Sequence, residues 1–275
     1  MENCKVIAIT NQKGGVGKTT TTLNLGAGLC MEGKRVLIID ADPQSSLTVC
    51  LGNRSPDNID VSLATAMSRA ISDGEILAED AIIPHKEGID LLPANIELSG
   101  METALFNVMS REYVLKNVID SVRTKYDYIL IDCMPSLGMM TINSLVAADS
   151  VIIPSQPNFL STKGLDLLLK SITKIRRNIN PNLKIDGILL TMVDGRTNNA
   201  KDVIESLRSG IGQSIRVFDT EIPHSVRAAE CSLYGESIFS YDKNGKVAEA
   251  YRALTKEVMD IERETKNRSR SDWVR

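Results

Sequence analysis

The glycine-rich stretch NQKGGVGKTTT, residues 11–21, constrains the fold of this chain more than any other part of its sequence. It carries Gly14, Gly15 and Gly17 directly before Lys18, between the strand-like run KVIAIT and an amphipathic segment. Glycines at such a turn let backbone N–H groups converge on an anion, next to the positive N-terminal end of a helix. The stretch therefore predicts a phosphate-binding loop between a strand and a helix.

Apolar runs of strand length alternate with longer amphipathic segments along most of the chain. The runs are continuous in Val, Ile and Leu, which is typical of strands covered on both faces. We therefore predict an α/β fold, a single P-loop NTPase domain whose doubly wound, mostly parallel sheet has helices on both faces. Strands are predicted at residues 5–10, 35–40, 89–94, 126–132, 150–155, 185–193 and 216–220. Helices are predicted at residues 19–31, 111–124, 139–147, 164–179, 199–210 and 246–263.

The length of 275 residues suffices for one sizeable domain, which we place at residues 1–265. Residues 266–275 are interpreted as a polar, basic C-terminal tail with the sequence KNRSRSDWVR. The least regular stretch, residues 45–86, predicts an insertion of turns and short helices on this domain.

Composition limits the classes of function that need considering. A formal net charge of −3 gives no overall attraction to nucleic acid, so DNA binding requires a local basic patch. The five cysteines are an odd number without a C-x-x-C pair, which argues against a disulfide framework or a tetrahedral metal site. The sequence contains neither a secretory N-terminal pattern nor an apolar run of about 18 residues. We therefore expect a cytoplasmic protein without a membrane partner.

Carboxylates follow two of the predicted strands, where an open α/β sheet places its ligands. Asp132 ends the run YDYILID, a position from which an acid can hold a Mg²⁺-bound water. Asp40 and Asp42 end the run RVLIIDAD and would face the same side if that strand stays extended. Either of these two could orient an attacking water, and spacing alone favours Asp42 only slightly. Each aspartate taken singly is also compatible with an ordinary turn at a strand end.

A second lysine, Lys13, stands where the loop begins, five residues before Lys18. The phosphate-loop pattern G-x-x-x-x-G-K-[ST] lacks its first glycine here, because position 12 is Gln12. A solvated surface lysine is the default interpretation of Lys13. Two lysines in one cationic loop repel each other, however, and an anion close to both would relieve that repulsion. If Lys18 serves the chain's own nucleotide, a phosphate of a second subunit is a candidate partner for Lys13.

Several motifs resemble the ParA/MinD family of deviant Walker A P-loop ATPases, and most closely its Soj-like ParA members. KGGVGKT resembles the deviant Walker A motif, DADPQ the family's second motif, and YILIDCMPSLG its Walker B segment. The resemblance continues in ILLTMVDGRTN and TEIPHSVRAAECSLYGESI, and so spans nearly the whole chain. It implies that ATP and Mg²⁺ are the cofactors and that ATP promotes a sandwich-like homodimer. Hydrolysis, slow on its own, would dissolve that dimer.

The resemblance implies a role for each residue of the nucleotide site. Lys13 matches the signature lysine that crosses the dimer to touch the other subunit's ATP. Asp42 matches the acid that positions water, and Asp132 matches the Walker B acid. The expected catalytic residues are Lys13, Lys18 and Asp42. The expected metal residues are Thr19, Asp132 (through water) and Asp40. The expected ATP-binding residues are Lys13, Gly14, Gly15, Val16, Gly17, Lys18, Thr19, Thr20, Met192 and Pro223.

Nonspecific binding to double-stranded DNA is the further property that the resemblance implies. The expected DNA-binding residues are Arg196, Arg227, Lys163, Lys170 and Lys174. A few such charges, doubled by dimerisation, would give salt-sensitive binding that depends on ATP. The family also implies a nucleoid location and a ParB-like, centromere-bound partner that accelerates hydrolysis. His224 and Cys231 stand where many relatives have Arg and Pro, a change that could weaken DNA binding or alter the adenine pocket.

The function expected is therefore ATP-dependent DNA partitioning, with a MinD-like or other positioning or regulatory ATPase as the alternative. A MinD-like membrane regulator needs an amphipathic C-terminal helix, and the sequence after residue 263 lacks an apolar stripe. An iron–sulfur relative needs paired interface cysteines, and a tyrosine-kinase relative needs a tyrosine-rich tail, neither of which is found. A non-enzymatic binding module would tolerate loss of Lys18 and Asp42, which an ATPase assay would reveal.

Overall fold

The apolar runs of the sequence form one mostly parallel sheet in the computed structural model, which describes residues 4–72, 74, 78–195 and 198–272. Continuous Val, Ile and Leu suit these strands because helices cover both faces of the sheet. The strands are β1 Lys5–Ile9, β2 Val36–Ala41, β3 Ile83–Pro84, β4 Ile89–Leu92, β5 Tyr128–Cys133, β6 Ser150–Ser155, β7 Lys184–Val193 and β8 Val217–Pro223.

The order of the eight strands in the sheet is β3-β4-β2-β5-β1-β6-β7-β8. Among the described strands, six neighbouring pairs are parallel, and one pair, β3 with β4 at one edge, is antiparallel. The predicted doubly wound α/β fold is thus confirmed, with helices connecting the parallel strands. The two-residue strand β3 lies in the stretch 45–86, for which only turns and short helices were predicted.

The helices occupy the connections between strands. They are α1 Lys18–Met31, α2 Ser46–Cys50, α3 Leu63–Ile71, α4 Met101–Ala104, α5 Val114–Val122, α6 Met139–Ala147, α7 Phe159–Asn178, α8 Asn198–Ser209, α9 Val226–Glu230, α10 Ile238–Tyr241 and α11 Lys246–Asp272. Helix α7 begins before the predicted residue 164, and α11 continues past the predicted residue 263. Within the described part of the chain, no helix is long and apolar enough to cross a membrane.

Two apolar cores lie on opposite faces of the sheet. One is built around α3, α5, α6 and α7, with fully buried side chains such as Met67 and Leu115. The other is built around α1 and α11, with Leu25 and Tyr251 among its buried side chains. Because helices cover both faces, the ends of the strands are where a ligand can reach the sheet.

The carboxyl ends of β1, β2 and β5 are neighbours in this sheet. The glycine-rich loop follows β1, while Asp40 lies on β2 opposite Asp132 on β5. Residues that are far apart in the sequence therefore meet at one edge of the sheet, which is where an open α/β fold binds its ligands.

Candidate nucleotide-binding site

The glycine-rich loop has a backbone conformation that favours glycine. Gly15 and Gly17 have φ angles of 69° and 82°, in the left-handed region that residues with side chains disfavour. Gly17 is the N-cap of α1 and makes no side-chain capping hydrogen bond, which leaves the first N–H groups of this 14-residue helix for an anion. Thr191 Oγ1 donates a 2.8 Å hydrogen bond to the carbonyl of the buried Val16 and so fixes the loop to β7.

The two lysines of the loop have different surroundings. Lys18 is only 7% exposed, and its Nζ donates to the Lys13 carbonyl at 3.2 Å. Burial lowers the pKa of Lys18, and the nearby Asp132 opposes that shift. Lys13 is half-buried; its backbone N–H donates to Asn11 Oδ1 at 3.0 Å, and its Nζ donates to Asn158 Oδ1 at 3.3 Å. Lys18 therefore points into the loop, while Lys13 lies at its outer end.

Thr19 and Asp132 meet at the start of α1. Thr19 Oγ1 donates to Asp132 Oδ2 at 2.6 Å, and Thr22 Oγ1 lies 3.5 Å from Asp132 Oδ1. Asp132 is 1% exposed; burial, together with the charge of Asp40, raises the pKa of its carboxyl to about 8. A cation beside this carboxyl would offset the cost of ionising it in the interior.

The donors at this point fit Mg²⁺, which prefers hydroxyl, carboxylate, water and phosphate oxygens. Among the residues that the structure describes, no three His, Cys, Asp or Glu side chains form a site that could hold a metal ion by themselves. A magnesium ion would therefore share its coordination between the Thr19 hydroxyl, water and nucleotide phosphates, as sites of this kind do. Asp132 hydrogen-bonds directly to Thr19 and is placed to hold such a water.

Asp40 and Asp42 differ in their environment, because β2 ends at Ala41 instead of remaining extended. Asp40 is fully buried, and its Oδ2 accepts hydrogen bonds from the N–H and Oγ1 of Thr48, both at 2.8 Å. Burial raises the pKa of Asp40 to about 6, although the Thr48 hydrogen bonds oppose that shift. Asp42 is half-buried, and its Oδ1 accepts from the Gln44 N–H at 2.9 Å.

These contacts give Asp40 a structural role, since its carboxylate ties β2 to α2. Its expected role as a metal residue stays a prediction that the observed hydrogen bonds do not favour. Asp42 lies past the end of the strand and is partly accessible, as a residue that orients water must be.

A cavity next to the loop brings the two expected adenine contacts together. It has a volume of about 140 Å³ and is called the base cavity here. Its lining consists of Gly17, Thr20, Thr191, Met192, Ile222, Pro223, His224, Ser225, Ala228, Ala229 and Tyr251. Met192 has a φ of 53°, an unusual value for a residue with a side chain and a sign of local strain. The base cavity opens beside Gly17 and Thr20, so a nucleotide could place phosphate and base in adjacent positions.

The predicted DNA-binding residues are distributed over separate elements. Lys170 and Lys174 are exposed on α7, four residues apart and therefore on one face of the helix. Arg227 is exposed on α9, but its Nη1 donates to Asp242 Oδ1 at 2.8 Å, so it is already paired within the chain. Arg196 lies outside the described residues, and so does the side chain of Lys163 on α7.

Several residues of the site were not identified from the sequence. Asn158 and Gln156 contact Lys13 and the Gly15 carbonyl, respectively, from the loop after β6. Thr48 holds Asp40, and Thr191 holds the loop at Val16. Polar residues after β6, another strand next to β1, were the signal that could have drawn attention to Gln156 and Asn158.

The fold and the loop together define a P-loop nucleotide-binding protein. A family model described as an AAA domain matches residues 4–185. The sporulation initiation inhibitor protein Soj of Bacillus subtilis is 44% identical over 260 residues, covering 92% of this chain and 98% of Soj. The chromosome partitioning protein ParA of Caulobacter vibrioides is 38% identical over 266 residues, covering 94% of this chain and 96% of ParA.

A solved structure has the same fold. Cobyrinic acid a,c-diamide synthase from Mycobacterium smegmatis, with bound ATP analog and magnesium, superposes with a TM-score of 0.82 at 36% identity and covers 94% of both chains. The chain belongs to the ParA/MinD family of deviant Walker A P-loop ATPases, and Soj and ParA are its homologues. The resemblance found in the sequence motifs is thereby confirmed.

Proposed function

We propose that this chain is a Mg²⁺-dependent ATPase that partitions DNA. ATP binding drives two protomers together, and the dimer binds double-stranded DNA without sequence preference. A ParB-like partner then accelerates hydrolysis, which releases the protein from the nucleoid. The observation that carries the ATPase proposal is the arrangement of Lys18, Thr19 and Asp132 at the start of α1. The partitioning role is supported by homology to ParA, whose name describes chromosome partitioning.

Each residue of the site has a separate role in the proposed hydrolysis. ATP with Mg²⁺ supplies the phosphoryl group that is transferred to water. Lys18 and the N–H groups at the start of α1 would bind the phosphates, and the Thr19 hydroxyl would hold the metal ion. Asp132 would accept a hydrogen bond from a water that the metal ion holds, and Asp42 would orient the attacking water. We expect slow turnover by the isolated protein, because Lys18 and Lys13 are the only basic residues of the loop motif.

DNA binding would use the exposed basic face of α7. Lys170 and Lys174 are exposed on it, and a dimer would present the pair twice. Arg227 can contribute only if a phosphate replaces Asp242 as its partner, so we expect its share to be small. Arg196 and Lys163 remain candidates from the sequence.

A regulatory role is the second candidate, and the name of the Soj relative favours it by describing an inhibitor of sporulation initiation. Both roles share ATP-dependent dimerisation and differ in the partner. Binding of a ParB-type protein, measured with and without centromere DNA, would favour partitioning. Stable dimers that ignore such a partner would favour the regulatory role.

The test of the proposed function is sedimentation with a non-hydrolysable ATP analogue, ADP or no nucleotide. We expect the wild-type protein to double its mass with the analogue only. Lys13→Ala should still bind the analogue, measured by a fluorescent derivative, but remain a monomer. Lys116→Ala, which removes a half-buried lysine that pairs with Asp120 on α5, is the control and should dimerise normally. A wild-type protein that stays monomeric at saturating analogue contradicts the proposal.

A further inference from the structure

A chain of hydrogen bonds joins Lys13 to the edge of the base cavity through two side chains in the loop after β6. Lys13 Nζ donates to Asn158 Oδ1 at 3.3 Å, and Asn158 Nδ2 donates to Gln156 Oε1 at 3.1 Å. Gln156 Nε2 donates to the Gly15 carbonyl at 3.1 Å and lies 2.9 Å from Met192 Sδ. This loop therefore contacts the second lysine, the phosphate loop and the cavity lining at once.

The groups at the two ends determine which atoms donate and which accept along this chain of hydrogen bonds. The Lys13 ammonium can only donate, so Asn158 must turn its oxygen toward it. The amide nitrogen of Asn158 then faces Gln156, which must present its own oxygen. The nitrogen of Gln156 is left to donate to the Gly15 carbonyl, which can only accept. Both amides are therefore held in one orientation. Flipping either amide would place a donor against a donor on one side and an acceptor against an acceptor on the other.

The rest of Lys13 is also fixed. Its N–H donates to Asn11 Oδ1 and its carbonyl accepts from Lys18 Nζ, so the backbone is held on both sides. A lysine side chain is long and would otherwise sample many rotamers. Asn158 uses one of the three N–H donors of the ammonium and leaves two for another acceptor.

We propose that Asn158 and Gln156 are positioning residues that aim the Lys13 ammonium at the anion of a second protomer. The proposal rests on the proposed function, because an anion from a second protomer is present only if ATP drives dimerisation. Asn158 acts directly on the lysine, and Gln156 acts through Asn158. Gln156 also contacts Met192, one of the residues that line the base cavity.

A simpler role for the same residues is to hold the loop after β6 in place. The two roles predict opposite behaviour for an acidic replacement. If Asn158 only supports the loop, Asn158→Ala and Asn158→Asp should both loosen it and change Lys13 in the same direction. If Asn158 aims Lys13, alanine frees the ammonium. Aspartate gives up the N–H donor to Gln156 Oε1 but forms an ion pair that holds the ammonium more tightly.

The first experiment measures acetylation of the Lys13 amine by a limiting amount of an N-hydroxysuccinimide ester of acetate. Peptide mass spectrometry gives the rate relative to Lys116 in the same molecule. Loss of one hydrogen bond of ordinary net strength shifts the equilibrium between the held and the free ammonium about fivefold. Asn158→Ala should therefore raise the relative rate of acetylation by about that factor. Gln156→Ala should raise it less, and Asn158→Asp should lower it. Asn107→Ala, at an exposed asparagine, should leave it unchanged.

The second experiment measures the dimer dissociation constant with the non-hydrolysable analogue. A symmetric dimer contains the lysine contact twice, so Asn158→Ala should weaken the dimer by about 25-fold, the square of the single effect. Affinity of the monomer for the analogue should not change. Equal labelling of Lys13 in the wild-type and Asn158→Ala proteins, or faster labelling in both Asn158 variants, overturns the proposal. A wild-type protein that never dimerises refutes the proposed function, whereas the labelling result reports on the hydrogen-bond chain alone.

Discussion

Replacing Asp132 by asparagine should make the free energy of unfolding less dependent on pH. Burial, together with Asp40, raises the pKa of the Asp132 carboxyl from 3.8 to about 8. Between these values the folded protein keeps a proton that the unfolded chain has lost. Unfolding then releases a proton, so the stability contributed by this group is highest below about pH 4 and falls as the pH rises toward about 8.

The size of the effect follows from the linkage of protons to folding. One proton bound only in the folded state changes the free energy of unfolding by about 1.4 kcal/mol for each pH unit. Between about pH 5 and about pH 8 the upper limit is therefore ~4 kcal/mol. Asp40 titrates in the same interval, with a pKa of about 6. Two coupled carboxyls share the protons, so we expect about half of that limit, ~2 kcal/mol, from Asp132.

Urea unfolding at these two pH values, in EDTA and without nucleotide, measures the effect. Asparagine keeps the shape of the side chain and an oxygen that can accept from Thr19 Oγ1, but it does not titrate. We therefore compare the free energy of unfolding of Asp132→Asn with that of the wild type at each pH. The difference, variant minus wild type, should be about 2 kcal/mol larger at the higher pH than at the lower one. Asp219→Asn is the control, because this side chain is 98% exposed. An Asp132→Asn protein whose stability varies with pH as the wild type does would refute the reasoning.

Two further predictions concern turnover and DNA. Asp42→Ala should bind ATP and dimerise but fail to hydrolyse, so the ATP-loaded dimer stays on DNA-coated beads; release at the wild-type rate would contradict the role in orienting water. Arg227→Ala should reduce the slope of log affinity against log salt by less than about 0.9 per protomer, because Asp242 already pairs with this arginine. Fluorescence anisotropy over a salt titration measures the slope, and a variant with the wild-type affinity and the wild-type slope would remove Arg227 from the DNA surface.

The parallel sheet could be predicted because β1, β2 and β5 are short, continuous apolar runs that are buried on both faces. The ends of some strands and helices were harder to predict, because the pattern of apolar and polar side chains does not mark them. Strand β3 is two residues long and has no periodicity to detect. Helix α11 extends into a polar sequence that offers no apolar stripe, so its end was placed too early.

The candidate site divides in the same way. The phosphate loop could be predicted because the spacing of its glycines and lysine is a local pattern, complete within a few consecutive residues. The hydrogen bond from Thr19 to Asp132 could be anticipated too. Asp132 lies near the carboxyl end of β5, and Thr19 lies just after the loop that follows the neighbouring strand β1. Contacts such as Lys13 with Asn158 join residues 145 positions apart, and no local pattern specifies which polar side chain fills such a place.

The contrast between the two loop lysines gives a physical reason for having both. Burial lowers the pKa of Lys18, and the nearby Asp132 and Asp42 oppose that shift only in part. The charged form of Lys18 is therefore costly in the free protomer, and a phosphate bound in the loop would stabilise it. Lys13 has a neutral amide oxygen as the partner of its ammonium. A neutral partner directs the charge without cancelling it, so Lys13 keeps its attraction for an anion that approaches from outside.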